Sequence, residues 1–583
     1  MKKKNGKHIL RRLWFYISNS RLHLILSLLF ALLGGAVTMI SPFLSGNAID
    51  CMVEEGNVNF TGILGVILIL AVFYVAASVF QWLLSICTTI VANRTVGLMR
   101  KHAFERISHM PLNFYDTRSH GDILSHLSND IDAVSDGLMH GITQLFSGIV
   151  TIAGSLIFMF ILNPIIALVV IAITSLAYFT ARFITSRTNK MLHEQQQTVG
   201  ELNGYIEEMI GGNRTIKAFS SEEKTYKNFR EMNERLYVCG QKAQFFSSLV
   251  NPTTRFINNL AYISVGIIGG VLAIGDGMSV GRVSSFLLYA TQFAKPINEI
   301  TGVATQVQSA IVSAERVFSI IDSEIESEEP ENMKQLTVAN ASVTFEHVYF
   351  SYKPEKPLIE DLNLEVQPGQ VVAIVGPTGA GKTTFVNLLM RFYDVNSGRI
   401  LIDGTDITTV TRESLRRSFA MVLQETWLFG GTIRENIAYG KENATEEEVI
   451  LAAKAARAHS FIIRLPHGYD TVINETEGEL SQGQKQLLTI ARAMLLDPPL
   501  LILDEATSSV DTRTEVLIQQ AFRQMMRGRT SFVIAHRLST IRDADRILVM
   551  NKGAIVESGT HTQLLETKGF YYRLYNSQFA AKQ

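Results

Sequence analysis

Residues 376–383 read Gly376-Pro377-Thr378-Gly379-Ala380-Gly381-Lys382-Thr383, with Thr384 next. The spacing fits the G-x-x-x-x-G-K-[ST] pattern of a P-loop, and Val371, Val372, Ala373, Ile374 and Val375 before it form the short apolar run of a buried parallel strand. Strand, glycine loop, helix is the context the pattern needs. Glycines let backbone N–H groups close around phosphate oxygens, Lys382 reaches the terminal phosphates as a point charge, and the Thr383 hydroxyl suits Mg²⁺. The stretch 376–384 therefore reads as a cradle for a nucleoside triphosphate; the bland alternative is a glycine-rich turn holding no ligand.

Working outward, Leu500-Leu501-Ile502-Leu503-Asp504-Glu505 is an apolar strand ending in two carboxylates. A buried strand delivering Asp504 to its tip is what a P-loop fold needs to hold Mg²⁺, and Glu505 one step on can orient or deprotonate an attacking water. Further strand-like runs at 343–352, 362–366, 399–402, 418–422, 531–534 and 547–550 alternate with helical stretches after 371–375. This predicts an α/β domain, largely parallel, with an antiparallel region at its start.

The composition shows that this domain is only half of the molecule. At 583 residues the chain exceeds a single core, and 47% hydrophobic residues with 18% charged ones is the average of a membrane half and a soluble half. A net charge of −1 gives no global field for nucleic acid. Cys51, Cys87 and Cys239 are widely spaced and predict free thiols, with neither a disulfide nor a zinc site.

Residues 1–12 carry six basic side chains, Lys2, Lys3, Lys4, Lys7, Arg11 and Arg12, followed by an amphipathic segment at 9–17. The next apolar run is of span length and ends in no small-residue cleavage site, which favours an uncleaved membrane protein over a signal peptide. Spanning hydrocarbon takes about 20 apolar residues, and 24–43, 63–92, 138–162, 165–184, 245–273 and 283–305 qualify or nearly so, the last two being the more polar. The connections 93–137 and 187–244 are long and rich in Lys and Arg, whereas the others are short. That asymmetry puts the N-terminus, both long loops and the C-terminus on the cytoplasmic side. Apolar positions at helical spacing within the long loops predict that spans continue beyond the bilayer as rods, with small tips at 113–123 and 211–219. The expected organisation is an N-terminal segment 1–20, a six-helix transmembrane domain 21–322, an acidic linker 323–335 and a nucleotide-binding domain 336–583.

Lipid penalises polar side chains, so Asn258, Asn259 and Tyr262 in span five and Gln292, Lys295 and Glu299 in span six are expected to face a bundle interior or watery cavity. Lys295 and Glu299 are one helical turn apart, so mutual neutralisation is the competing reading, and Pro296 between them predicts a kink.

With these motifs in place, the chain resembles a half-transporter of the ATP-binding cassette (ABC) exporter family over nearly its whole length. The diagnostic stretch is Leu480-Ser481-Gln482-Gly483-Gln484, similar to the family's signature loop, which closes over ATP held by the partner chain. The resemblance implies that Tyr352 stacks on adenine, that Gln424 senses Mg²⁺, that His536 contacts the γ-phosphate and that Asp511 lies in the loop crossing the dimer interface. It also implies ATP and Mg²⁺ as cofactors, a bacterial inner-membrane location, and a second half-transporter, the lipid bilayer and a small amphipathic substrate as partners, with no nucleic acid. Gln482 stands where the commoner signature has Gly, and the glycine of Glu475-Thr476-Glu477-Gly478-Glu479 falls one place late. This variant resembles bacterial heterodimeric multidrug exporters, in which the chain with intact Glu and His pairs with one lacking the catalytic Glu. The reading is ATP-driven export of amphipathic or hydrophobic small molecules by alternating access. A homodimeric lipid flippase or peptide exporter is the alternative within the class, and an ATP-gated channel or regulator the alternative outside it.

Overall fold

The structure, a computed structural model, describes residues 2–52, 58–275, 278–327, 329–330, 333–424, 426–473, 480–504, 511–535 and 538–578. Contacts divide the chain into two units, Met1–Met110 with Arg118–Ser323, and Pro111–Thr117 with Glu324–Gln583.

Unit 1 is helical. Its helices include Lys2–Ile17, Arg21–Asp50, Phe60–Ser108, Ile131–Leu162, Pro164–Gly211, the pair Glu222–Ser248 and Val250–Gly275, and Val280–Ile321. Among the described residues five segments are long and apolar enough to cross a membrane: His8–Asp50, Phe60–Ser108, His120–Leu162, Pro164–Gly211 and Glu222–Gly275. Val280–Ile321 is a sixth long helix, of 42 residues, made more polar by residues such as Lys295 and Glu299. Pro296 lies inside this one continuous helix. At 1.5 Å per residue the 49 residues of Phe60–Ser108 extend about 74 Å, more than twice the ~30 Å of hydrocarbon. The rods expected beyond the bilayer are therefore present.

Local chemistry sets where these helices start. The Asn163 side chain accepts from the N–H groups of Ile165 and Ile166, and Pro164 occupies the first helical position, where its missing N–H costs nothing. Where Arg21–Asp50 meets Val280–Ile321, a Cβ on Gly281 would lie 2.0 Å from the Gly46 carbonyl oxygen, so only glycine permits that approach. Asp50 accepts there from the Gly281 N–H at 2.7 Å and the Ser279 hydroxyl at 2.7 Å. At the other end of the bundle, buried Asp130 accepts from Arg316, Ser313 at 2.8 Å and His126 at 2.6 Å. The second tip is different: helix Asn213–Ala218 buries none of its residues, and Phe219 beside it is 77% exposed.

Unit 2 is an α/β fold. Its six-stranded sheet runs Ala554–Gly559, Arg546–Asn551, Val371–Val375, Thr530–Ile534, Leu500–Asp504, Phe419–Val422. All neighbours pair in parallel except the first two strands. A separate antiparallel sheet orders Ile359–Val366, Val343–Phe350, Ser397–Ile402 and Thr405–Asp406. Side chains alternate across a strand, so Val372 and Ile374 enter one core with Phe385 and Phe345 while Ala373 and Val375 enter the other with Leu487 and Ile490. Burial on both faces explains the continuous apolar runs. Residues 111–117 belong to this unit, and the Tyr393 hydroxyl donates to Asp116. Burial and that carboxylate together push the Tyr393 hydroxyl well above its ordinary value.

Candidate nucleotide site and membrane cavity

Because five of the six strands in the larger sheet run parallel, their C-terminal ends share one edge, where α/β sheets bind ligands. Val375 leads there into the P-loop, Asp504 ends its strand, and Val422 is followed two residues later by Gln424. Ile534 pairs with both Ile374 and Asp504, so one strand separates the glycine loop from the carboxylate. In the sequence, His536 follows the end of that strand by two positions. Glu505 and His536 lie outside the described residues, as do 475–479.

Backbone conformation builds the cradle. Gly379 has φ +79° and Gly381 φ +98°, left-handed values that side chains disfavour, and a Cβ on Gly376 would lie 2.3 Å from the Met550 carbonyl oxygen. Ala380 is buried, and helix Lys382–Leu389 begins immediately after Gly381. Lys382 Nζ donates to the Gly376 and Pro377 carbonyls at 2.9 and 3.0 Å. Burial pulls its pKa below the ordinary lysine value, and the charge of Asp504 opposes that fall. An ammonium held by two loop carbonyls can be transferred to phosphate oxygens without crossing the site. Thr378 completes the loop beside Pro377, and Thr383 follows Lys382 in the first helical turn.

Tyr352 is 46% exposed; its hydroxyl donates to Thr384 at 3.2 Å and accepts from Asn387 at 3.3 Å. Phe350 and Tyr393 meet it edge-on, with centroids 4.9 and 5.0 Å away, which fixes an aromatic ring beside the phosphate helix. The candidate donors for Mg²⁺ at this edge are the Thr383 hydroxyl, the Gln424 amide and the Asp504 carboxylate. These are hard oxygens, and among the described residues no cluster of three His, Cys, Asp or Glu competes. One carboxylate with a hydroxyl fits an ion that otherwise prefers water and phosphate.

The signature residues sit at a helix start. Ser481 caps helix Gln482–Leu496 in a capping box: its hydroxyl accepts from the Gln484 N–H and the Gln484 side chain accepts from the Ser481 N–H. Leu480 and Gly483 are buried, and Gln482 donates to Thr426 at 3.1 Å, two residues beyond Gln424. Asp511 caps helix Thr512–Met526 by accepting from the Thr514 N–H at 2.9 Å, and hydrogen bonding to Thr514 holds its carboxyl below the ordinary range.

In unit 1, Asn258, Asn259, Tyr262, Gln292, Lys295 and Glu299 line one cavity of about 540 Å³. Among the described residues, Asn258 Oδ1 and Gln292 Oε1 are buried acceptors with no partner, and no ion pair joins Lys295 to Glu299. Arg255 and Thr174 also line it. A second cavity of about 650 Å³ shares Lys295 and Glu299 and adds Thr38, Tyr74, Gln81 and Gln144. Sequence reasoning passed over Arg255, although a charge inside span five was a signal of the same kind as Lys295.

Comparison with known proteins extends the picture over the whole chain. The family profile described as ABC transporter transmembrane region matches residues 24–297, and that described as ABC transporter matches 359–508. An uncharacterized ABC transporter ATP-binding protein of Bacillus subtilis is 42% identical over 578 residues, 99% of this chain and 95% of its own. A Mycobacterium tuberculosis protein named fatty acid ABC transporter ATP-binding/permease protein is 44% identical over 523 residues, 90% of this chain and 83% of its own. An ATP-dependent lipid A-core flippase of Desulfotalea psychrophila is 36% identical over 573 residues, 98% of this chain and 100% of its own. Among solved structures, a bacterial Atm1-family ABC exporter with ATP bound aligns with TM-score 0.77 at 31% identity, covering 97% of this chain and 99% of that one.

Proposed function

The chain belongs to the ABC transporter family, as an exporter whose ATPase drives transport, and from that premise we propose that it moves amphipathic small molecules through the cavity around Lys295. The observation that carries this reading is the convergence of six polar side chains from two helices on one cavity, with two buried amide oxygens awaiting donors. Relatives named for fatty acid and lipid A-core transport point to cargo with the same two-sided character.

In unit 2, Lys382 holds the terminal phosphates, Tyr352 supports the adenine, and Thr383, Gln424 and Asp504 hold Mg²⁺. The ion, when bound, neutralises charge developing on the phosphates. Glu505 orients or deprotonates the attacking water, and His536 contacts the γ-phosphate. Ser481 and Gly483, at a helix N-terminus, close on the ATP of a second chain. The exposed tip around Phe219 offers that chain apolar surface. The basic long loops support a cytoplasmic N-terminus and a cytoplasmic unit 2, and the family resemblance supports a bacterial inner membrane as the location of unit 1.

The test is Glu505→Gln in vesicles loaded with a fluorescent fatty acid. ATP binding should persist while hydrolysis and transport fall together by about a hundredfold or more. Undiminished hydrolysis would show that another base acts. Gln482 supports a narrower reading, multidrug-type export with a different half-transporter as partner. Strong ATPase from the purified chain as a homodimer would end it.

A further inference from the structure

The geometry points to helix Lys2–Ile17 as a docking surface for anionic lipid headgroups that reports their presence to the end of the last long helix. The helix has two apolar faces. Ile9, Leu13 and Tyr16, spaced four and three apart, are buried against Met99, Ala103 and Phe318. Leu10, Trp14 and Phe15 point elsewhere and are 49, 57 and 72% exposed, with exposed Arg11 among them. A protein that needed only to hold this helix would leave its second face polar.

Charge selects the occupant. Residues 1–49 contain Lys2, Lys3, Lys4, Lys7, Arg11, Arg12 and Arg21, and the first acidic residue is Asp50. A membrane-spanning segment starts within this same stretch, so the face sits at headgroup level, where Trp14 and Phe15 enter the acyl boundary and Arg11 meets phosphates. Neutral lipid satisfies the aromatic side chains but not the charge.

The docked face supplies the connection. Arg12 donates to both oxygens of Asp322, and its guanidinium lies 4.4 Å from the centroid of the Phe318 ring. The Tyr16 hydroxyl shares a 3.0 Å hydrogen bond with His102. Asp322 caps helix Val280–Ile321, the helix that carries Lys295 and Glu299, and unit 2 begins two residues later in the chain. A helix drawn toward headgroups therefore pulls on the last turn of that span.

The protein is reconstituted in phosphatidylcholine vesicles, with or without phosphatidylglycerol at about 30 mol %. The readout is the ratio of ATPase rates in the two vesicle types, so a change in basal rate cancels. The expected ratio is about three, falling to about one in high salt, where screening shortens to ~3 Å. Replacing Lys2, Lys3, Lys4 and Lys7 with Gln should bring the ratio to about one in low salt as well. Arg12→Gln should also lose stimulation, yet brominated phosphatidylglycerol should still quench the fluorescence that Trp14→Phe removes. A wild-type ratio of one overturns the proposal, as does full stimulation of either variant. Loss of quenching in Arg12→Gln overturns the reporting role.

Discussion

Around the P-loop, the residues proposed to contact nucleotide in unit 2 come in short contiguous segments that a parallel sheet delivers to one edge. Around the cavity of unit 1 they are single side chains on separate helices, with Asn258 and Gln292 lying 34 positions apart. The first site is made by backbone: left-handed glycines, a helix start, and a lysine held by two carbonyls. The second is made by side chains projecting from regular helices, so its chemistry can change while its architecture does not. One ATPase can thus be joined to many cargoes.

The sharpest way to break this contrast is Lys382→Ala. It should lower ATP hydrolysis by about a hundredfold with or without cargo, as seen in steady-state phosphate release. A loss under tenfold would mean that the loop backbone alone holds the phosphates. Next comes Lys295→Met with Glu299→Gln, which should cut cargo-stimulated ATPase by about tenfold while basal hydrolysis stays within about twofold. Equal losses in both rates would show that the two sites are not separable.

Asp403→Asn tests whether unit 2 also depends on a backbone-made site away from the nucleotide. Asp403 accepts from the N–H groups of Ala339, Asn340, Ala341 and Ser342. Burial alone would raise its carboxyl, but these bonds prevail and hold it below the usual range. The substitution should cost about 2 kcal/mol, measured as a lowered urea midpoint of the nucleotide-binding unit. A folded pKa below the unfolded ~3.9 means that the contribution is complete above that value and is lost as pH falls through the folded pKa, so the stability difference between wild type and Asp403→Asn should shrink in that window. The smallest effect belongs to Gln482→Gly. It removes one exposed hydrogen bond to Thr426 and leaves the Ser481 capping box intact, so ATPase should change by less than about threefold.

Legibility followed the same division. The P-loop, the strand ending at Asp504 and the start of the signature helix were readable because each lies within a few consecutive residues whose type fixes local backbone. The cavity residues were readable only because lipid makes polarity conspicuous. That argument could not decide whether Lys295 and Glu299 neutralise each other; among the described residues no ion pair joins them, and both line the cavity. Other contacts left no trace in the sequence. Asp130 meets Arg316 across 186 positions and Arg12 meets Asp322 across 310, and no local period encodes such pairs. Gln482 stood out as a departure from a pattern, but its bond to Thr426 needed the folded loop.

The lengths of Phe60–Ser108 and Pro164–Gly211 have a mechanical corollary. With ~30 Å of a ~74 Å rod in hydrocarbon, about 44 Å projects beyond it. A 5° tilt about the membrane boundary then sweeps the far end through about 4 Å, more than a hydrogen bond's length, while a point about 10 Å inside the bilayer moves by less than 1 Å. Such a helix works as a lever with unequal arms: large excursions at one end are geared down to small, forceful ones at the other.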